Sequence, residues 1–140
     1  MLSQRLSALP LRRGAVMATH RQLLVALGAW SAGSILGGAV LWRAGNGSGA
    51  RAFGRQTLVW GAVDAAIVAY GAASPPPAPA RLRTVLLANS LADVGYLALG
   101  IYALRRERWR ADGAAILVQG AFLLALDSHF AYHLEVPAAG

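Results

Sequence analysis

The stretch "NSLADVGYLALG", Asn89–Gly100, holds an aspartate in the middle of an apolar run. One hydrophobic segment earlier, "WGAVDAAIVAYG", Trp60–Gly71, holds another in the same position. An aspartate at the centre of a membrane span costs about 2.5–3.5 kcal/mol on insertion scales. It therefore belongs on an inward-facing surface, and how these two stretches are read decides the fold.

Working outward, four apolar runs approach the roughly 20 residues that cross a bilayer. They cover about 23–42, 55–74, 84–104 and 113–136. None alternates with period two, and alanine and leucine dominate, so helices are expected and not strands. In lipid the backbone must satisfy itself, which selects helix for segments of this length. The connections are short: "RAGNGSGAR" (Arg43–Arg51), "SPPPAPA" (Ser74–Ala80) and "RRERWRADG" (Arg105–Gly113). Glycine, proline and an Asp-Gly turn signal mark them as breaks. Short connections make neighbours antiparallel. The expected architecture is all-α, an antiparallel four-helix transmembrane bundle over residues 23–140, preceded by an N-terminal arm, 1–22. Met17 opens "MATHRQLLVALG" just before the first span and is expected to be the true start.

Composition agrees. Apolar residues make up 56% and charged residues 14% of 140, against about 25% charged in soluble domains. There is no cysteine, which excludes disulfides and thiolate metal sites. All thirteen basic residues are arginine, so lysine Schiff-base chemistry is excluded as well. The net charge of +7 suggests nucleic acid, but most arginines flank apolar runs. There they would meet lipid headgroups, and no nucleic-acid partner is expected. The expected partner is the bilayer, in a bacterial inner (plasma) membrane. With Met17 as the start, the first and third loops hold seven arginines and face the cytoplasm, anchored by Trp42 and Trp109.

Asp64 and Asp93 lie near the midpoints of antiparallel spans, at similar depth, where two carboxylates cannot comfortably both ionise. Asp127 adds a third acid from the last span. Their partners must be neutral donors or a shared proton. Trp60 precedes Asp64 by four residues and Asn89 precedes Asp93 by four, so each pair shares a face. Ser34, Tyr96 and Gln119 are expected to join from other positions. Such a network either fixes helix order and register or marks a path for protons or a small solute. Gly33 and Gly37 form a small-xxx-small pair, expected to seat a neighbouring helix of the bundle or, alternatively, a second copy or a membrane-protein partner. His129 and His133, at i and i+4, are the only metal or haem candidates, and two ligands do not make a site. No cofactor is expected, and no nucleophile elbow or HExxH motif is present.

The segments "GAWSAGS", "WGAVD", "NSLADVGY" and "QGAFLLALD", in that order along the chain, resemble an uncharacterised bacterial family of short four-helix integral membrane proteins, a domain of unknown function. Its pattern has a tryptophan with an asparagine four residues on in each of the first two spans. The third span has Asn-x-x-x-Asp followed by Gly-Tyr, and the fourth has Gln-Gly, a leucine pair and Asp. Asn89, Asp93, Gly95, Tyr96, Gln119, Gly120 and Asp127 match it. Ser34 and Asp64 stand where asparagine is expected, which points to hydrogen-bonding slots and away from a dedicated catalytic carboxylate. The resemblance implies the topology and no activity. The expected role is that of a structural or accessory membrane component, with a transporter-like protein as the alternative and a haem- or metal-binding protein as the third.

Overall fold

The structure, a computed structural model, describes residues 2–134, with side chains from residue 14. The expected end of the fourth span, Glu135 and Val136, lies outside the described residues. Among the described residues there are four α-helices and no strand: α1 (Leu2–Ala44), α2 (Gly47–Ala73), α3 (Pro79–Leu104) and α4 (Arg110–His133). A single 3-10 turn, Glu107–Trp109, leads into α4.

Three of the four helices start well before the expected spans. The connection between α1 and α2 shrinks to Gly45 and Asn46 because Gly47 opens α2 at φ +88°, a conformation side chains other than glycine rarely adopt. Pro79 occupies the first turn of α3, where its missing N–H costs nothing. The Asp112-Gly113 signal does not make a turn; both residues lie in α4. Asp112 sits in the first turn, where the helix dipole favours a carboxylate. Gly113 is there for close approach: a Cβ on it would lie 2.8 Å from Gly100 O.

α1 packs chiefly on α2 and α3 on α4, and the two pairs meet mainly through α2 and α4. Numbers fall along α1 as they rise along α2: Gly54 meets Leu41 and Trp42, Gly61 meets Ser34 and Ile35, and Gly71 meets Leu24. The same reversal relates α3 to α4, with Gly100 against Leu117 and Gly120 against Leu97. Arg55 reaches Asp112 at 3.4 Å, so the α1–α2 connection and the start of α4 share one end of the molecule.

The small stripe on α1 faces the other way from expectation. A Cβ on Gly33 or Gly37 would meet nothing within 4 Å, so neither seats a helix of this bundle. The close approach belongs to Gly38, whose Cβ would lie 2.6 Å from Leu58 N, and to Gly61, 2.8 Å from Ser34 Cβ. Spacing by four identified a stripe of small residues, but helix rotation turned its neighbour inward.

Burial is inverted relative to a water-soluble domain. Leu86, Gln119 and Asp64 are the largest fully buried side chains. Leu36, Leu91, Ile67 and Tyr132 are exposed. A small apolar cluster of Leu82, Leu86, Ala131 and Leu134 closes one end, with Leu23 and Phe130 against it. Three helical segments are long and apolar enough to cross a membrane: Gly14–Ala44, Pro79–Leu104 and Glu107–His133.

Candidate functional site

A buried polar cluster draws on all four helices. α1 contributes Trp30, Ser31 and Ser34; α2 contributes Trp60 and Asp64; α3 contributes Asp93 and Tyr96; α4 contributes Gln119 and Asp127. Asp64, Gln119, Asp93 and Asp127 are only 1, 2, 3 and 7% exposed. Burial this deep leaves each polar atom dependent on a protein partner, because an unsatisfied group costs about 1–3 kcal/mol.

One half of the cluster is fully bonded. The Trp30 indole N–H donates to Gln119 Oε1 at 2.6 Å, and Gln119 Nε2 donates to Ser34 Oγ at 3.2 Å. Ser31 Oγ donates to the Gly61 carbonyl at 2.9 Å. The Trp30 ring stacks on Phe122 with centroids 3.9 Å apart and planes 7° from parallel. Trp30 and Ser34 are one turn apart on α1, and the Gln119 amide bridges them from α4. Its two faces are both used: the oxygen accepts and the nitrogen donates.

The other half leaves three polar atoms unpaired. Trp60 Nε1, Asp64 Oδ2 and Asp93 Oδ2 are buried with no hydrogen-bond partner. Trp60 was expected to donate to Asp64, one turn on. Instead its ring meets the Tyr96 ring edge-on, with centroids 5.0 Å apart and planes at 75°. The aromatic contact with α3 sets the indole's direction, so a shared helical face did not make a bonded pair. Asn89 also departs from expectation: its amide lies beside Asp127 on α4 and not at Asp93. The three carboxyls are within electrostatic reach of one another.

Of the residues expected here, Ser34, Asp64, Asp93, Tyr96, Gln119, Asp127 and Trp60 converge, and Asn89 stands exposed at the edge. Trp30, Ser31 and Phe122 were missed. Trp30 repeats at Ser34 the four-residue offset that Trp60 has to Asp64, and that offset was legible. Phe122 had no polar signal at all.

The histidines lie elsewhere. His129 and His133 are exposed, with ring centroids 4.3 Å apart, and His133 Nδ1 lies 2.8 Å from the His129 carbonyl. Asp127 points inward, away from both. Among the described residues no group of three or more His, Cys, Asp or Glu gathers to hold a metal ion.

These features define a small all-helical protein with three helices long and apolar enough to cross a membrane and a polar cluster enclosed between four. The chain belongs to a family of unknown function, DUF6992, whose model matches residues 26–128. The match takes in every residue of the cluster, from Trp30 to Asp127, and ends before His129. No curated protein and no solved structure matches the chain.

Proposed function

We propose that the chain is a multi-pass component of a plasma membrane, an antiparallel four-helix transmembrane bundle whose polar interior holds the helices in order and register. The observation that carries this reading is the inverted burial: carboxyl and amide groups inside, large apolar side chains outside. In water that arrangement would leave the apolar surface unburied; in lipid it is the arrangement of lowest cost. α2 is included because its outward positions are Val59, Val63, Ile67 and Tyr70, all exposed, while its acid Asp64 is turned inward. The role is accessory or structural, consistent with a Trp30–Gln119–Ser34 chain that ties α1 to α4 by hydrogen bonds beside the Trp30–Phe122 stack.

The natural absence of cysteine makes the test direct. Single cysteines replacing Ser48, Ala78, Arg108 and Val63 are labelled with a membrane-impermeant maleimide in sealed vesicles. Ser48→Cys and Arg108→Cys should label from one side, Ala78→Cys from the other, and Val63→Cys from neither. Labelling of Ala78→Cys from the same side as Ser48→Cys means that α2 does not cross, and the reading fails.

A second reading is favoured by one observation, the unpartnered oxygens of Asp64 and Asp93 beside the unpartnered Trp60 N–H. A proton or a small polar solute passing the cluster would supply what those atoms lack. Infrared titration of the carboxyl bands in reconstituted protein, with Asp64→Asn and Asp93→Asn, separates the two. A band that titrates near neutral pH and vanishes in one variant favours movement of protons. Bands that never titrate, with both variants retaining fold and stability, leave the cluster structural.

A further inference from the structure

The end of the molecule that joins the α1–α2 connection to the start of α4 is strongly basic. Arg43, Arg51, Arg55, Arg105, Arg106, Arg108 and Arg110 lie there with two acids, Glu107 and Asp112. Asp112 is taken by Arg55 at 3.4 Å, and among the described residues that is the only ion pair within 4.0 Å. Glu107, between Arg106 and Arg108 in sequence, neutralises neither of them at that range.

Two of the unpaired arginines are held in place. The Arg106 guanidinium lies 5.0 Å from the centre of the Tyr102 ring, and its Nη2 donates to the Tyr102 hydroxyl at 3.3 Å. The Arg108 guanidinium lies 5.8 Å from the centre of the Trp109 ring. Contact with an aromatic face restrains a guanidinium while leaving its other N–H donors free. Between these four side chains is an open notch of about 240 Å³. The notch opens to solvent and is wide enough to admit a tetrahedral oxyanion with water around it.

We propose that the notch of Tyr102, Arg106, Arg108 and Trp109 binds a phosphate group, that of an anionic lipid headgroup. The choice of phosphate follows from the donors: two guanidiniums present planar forks that match its oxygens, with no carboxylate competing. The choice of a headgroup rests on the membrane reading above, which puts Tyr102 and Trp109 at the depth where aromatic rings and phosphates meet. Cations here also gain from the surface charge of an anionic leaflet.

Full-length protein in neutral detergent micelles is titrated calorimetrically with dihexanoyl phosphatidylglycerol, dihexanoyl phosphatidylcholine and inorganic phosphate. The double variant Arg106→Gln/Arg108→Gln is compared with Arg43→Gln/Arg51→Gln, which removes the same charge from the same end outside the notch. Thermal unfolding of each variant confirms that it folds. The wild type should prefer phosphatidylglycerol to phosphatidylcholine. The notch variant should weaken that binding on the order of 30-fold, about 2 kcal/mol, because both guanidinium forks that hold the phosphate are lost. The control variant should weaken it no more than about threefold.

Inorganic phosphate binding as tightly, and lost in the same variant, keeps the phosphate site and assigns it to a soluble ligand. Equal weakening by both variants reduces the site to a diffuse basic field and overturns the proposal, as does equal affinity for the two lipids. Labelling of the single-cysteine variants described above, in sealed vesicles, keeps the cases apart. A bundle that spans but binds no phosphate removes the notch alone, whereas a bundle that does not span removes the reading beneath it.

Discussion

The hydrogen bond from Trp30 to Gln119 joins residues 89 positions apart and is the clearest test of how the interior holds the helices together. Replacing Gln119 by leucine removes the acceptor of the 2.6 Å bond and the donor to Ser34 at 3.2 Å. The two losses differ. The Ser34 hydroxyl can turn to a carbonyl one turn earlier on its own helix, as Ser90 does to Leu86 O at 2.9 Å. The indole N–H of Trp30 has no such recourse and is left unsatisfied. That orphan sets the magnitude, about 1–3 kcal/mol of destabilisation for Gln119→Leu. Trp30→Phe removes the donor while keeping a ring against Phe122. Once it is made, Gln119→Leu no longer orphans anything there. The pair should therefore couple by about 0.6–1.7 kcal/mol, from the average to the largest value found for interhelical hydrogen bonds inside a membrane. The double variant should cost less than the sum of the singles. Reversible unfolding of the four proteins in mixed micelles measures this directly. Single costs that add to within about 0.3–0.5 kcal/mol would refute the reasoning, because the bond would then contribute nothing as a pair.

Three further outcomes are expected. Gly61→Ala places a methyl 2.8 Å from Ser34 Cβ and 2.9 Å from Ile35 N, and should destabilise by about 1–3 kcal/mol. Gly33→Ala and Gly37→Ala, whose Cβ atoms would meet nothing within 4 Å, should stay within about 0.5 kcal/mol of wild type in the same unfolding assay. A large loss at Gly33 would instead reveal a contact with a second copy or another membrane protein, and crosslinking would show it. Purified protein should carry no haem absorption band and no stoichiometric metal, since His129 and His133 are exposed and Asp127 points elsewhere. Stoichiometric zinc or a haem band that disappears in His133→Ala would reverse that expectation.

The site was partly legible in the sequence. Acids and a glutamine within apolar runs have one tolerable direction in lipid, so Asp64, Asp93, Asp127 and Gln119 could be placed inside without knowing any neighbour. Which of them bond to which could not. Trp60 and Asp64 share a helical face, yet the indole turns to Tyr96; Asn89 and Asp93 share one too, yet the amide stands by Asp127. Position along a helix fixes a side chain's bearing to within about a third of a turn, and the choice of partner depends on the rotation of the facing helix. That rotation belongs to the helix pair, as the close glycine contacts of α1 with α2 and of α3 with α4 illustrate.

The sequence by itself determined the helices, the family and the inward direction of the acids, because segment length, apolar composition and the cost of a buried charge are local quantities. It also carried the Gly-Asn-Gly and proline breaks, though not how far each helix would extend into them. Tertiary structure decided the rest. It put Gly38 and Gly61 at the α1–α2 contact while leaving Gly33 and Gly37 open, joined Trp30 to Gln119, and left Asp64 Oδ2, Asp93 Oδ2 and the Trp60 N–H without hydrogen-bond partners. Each of these outcomes depends on the relative rotation and offset of two helices, a property of pairs that no single stretch of sequence contains.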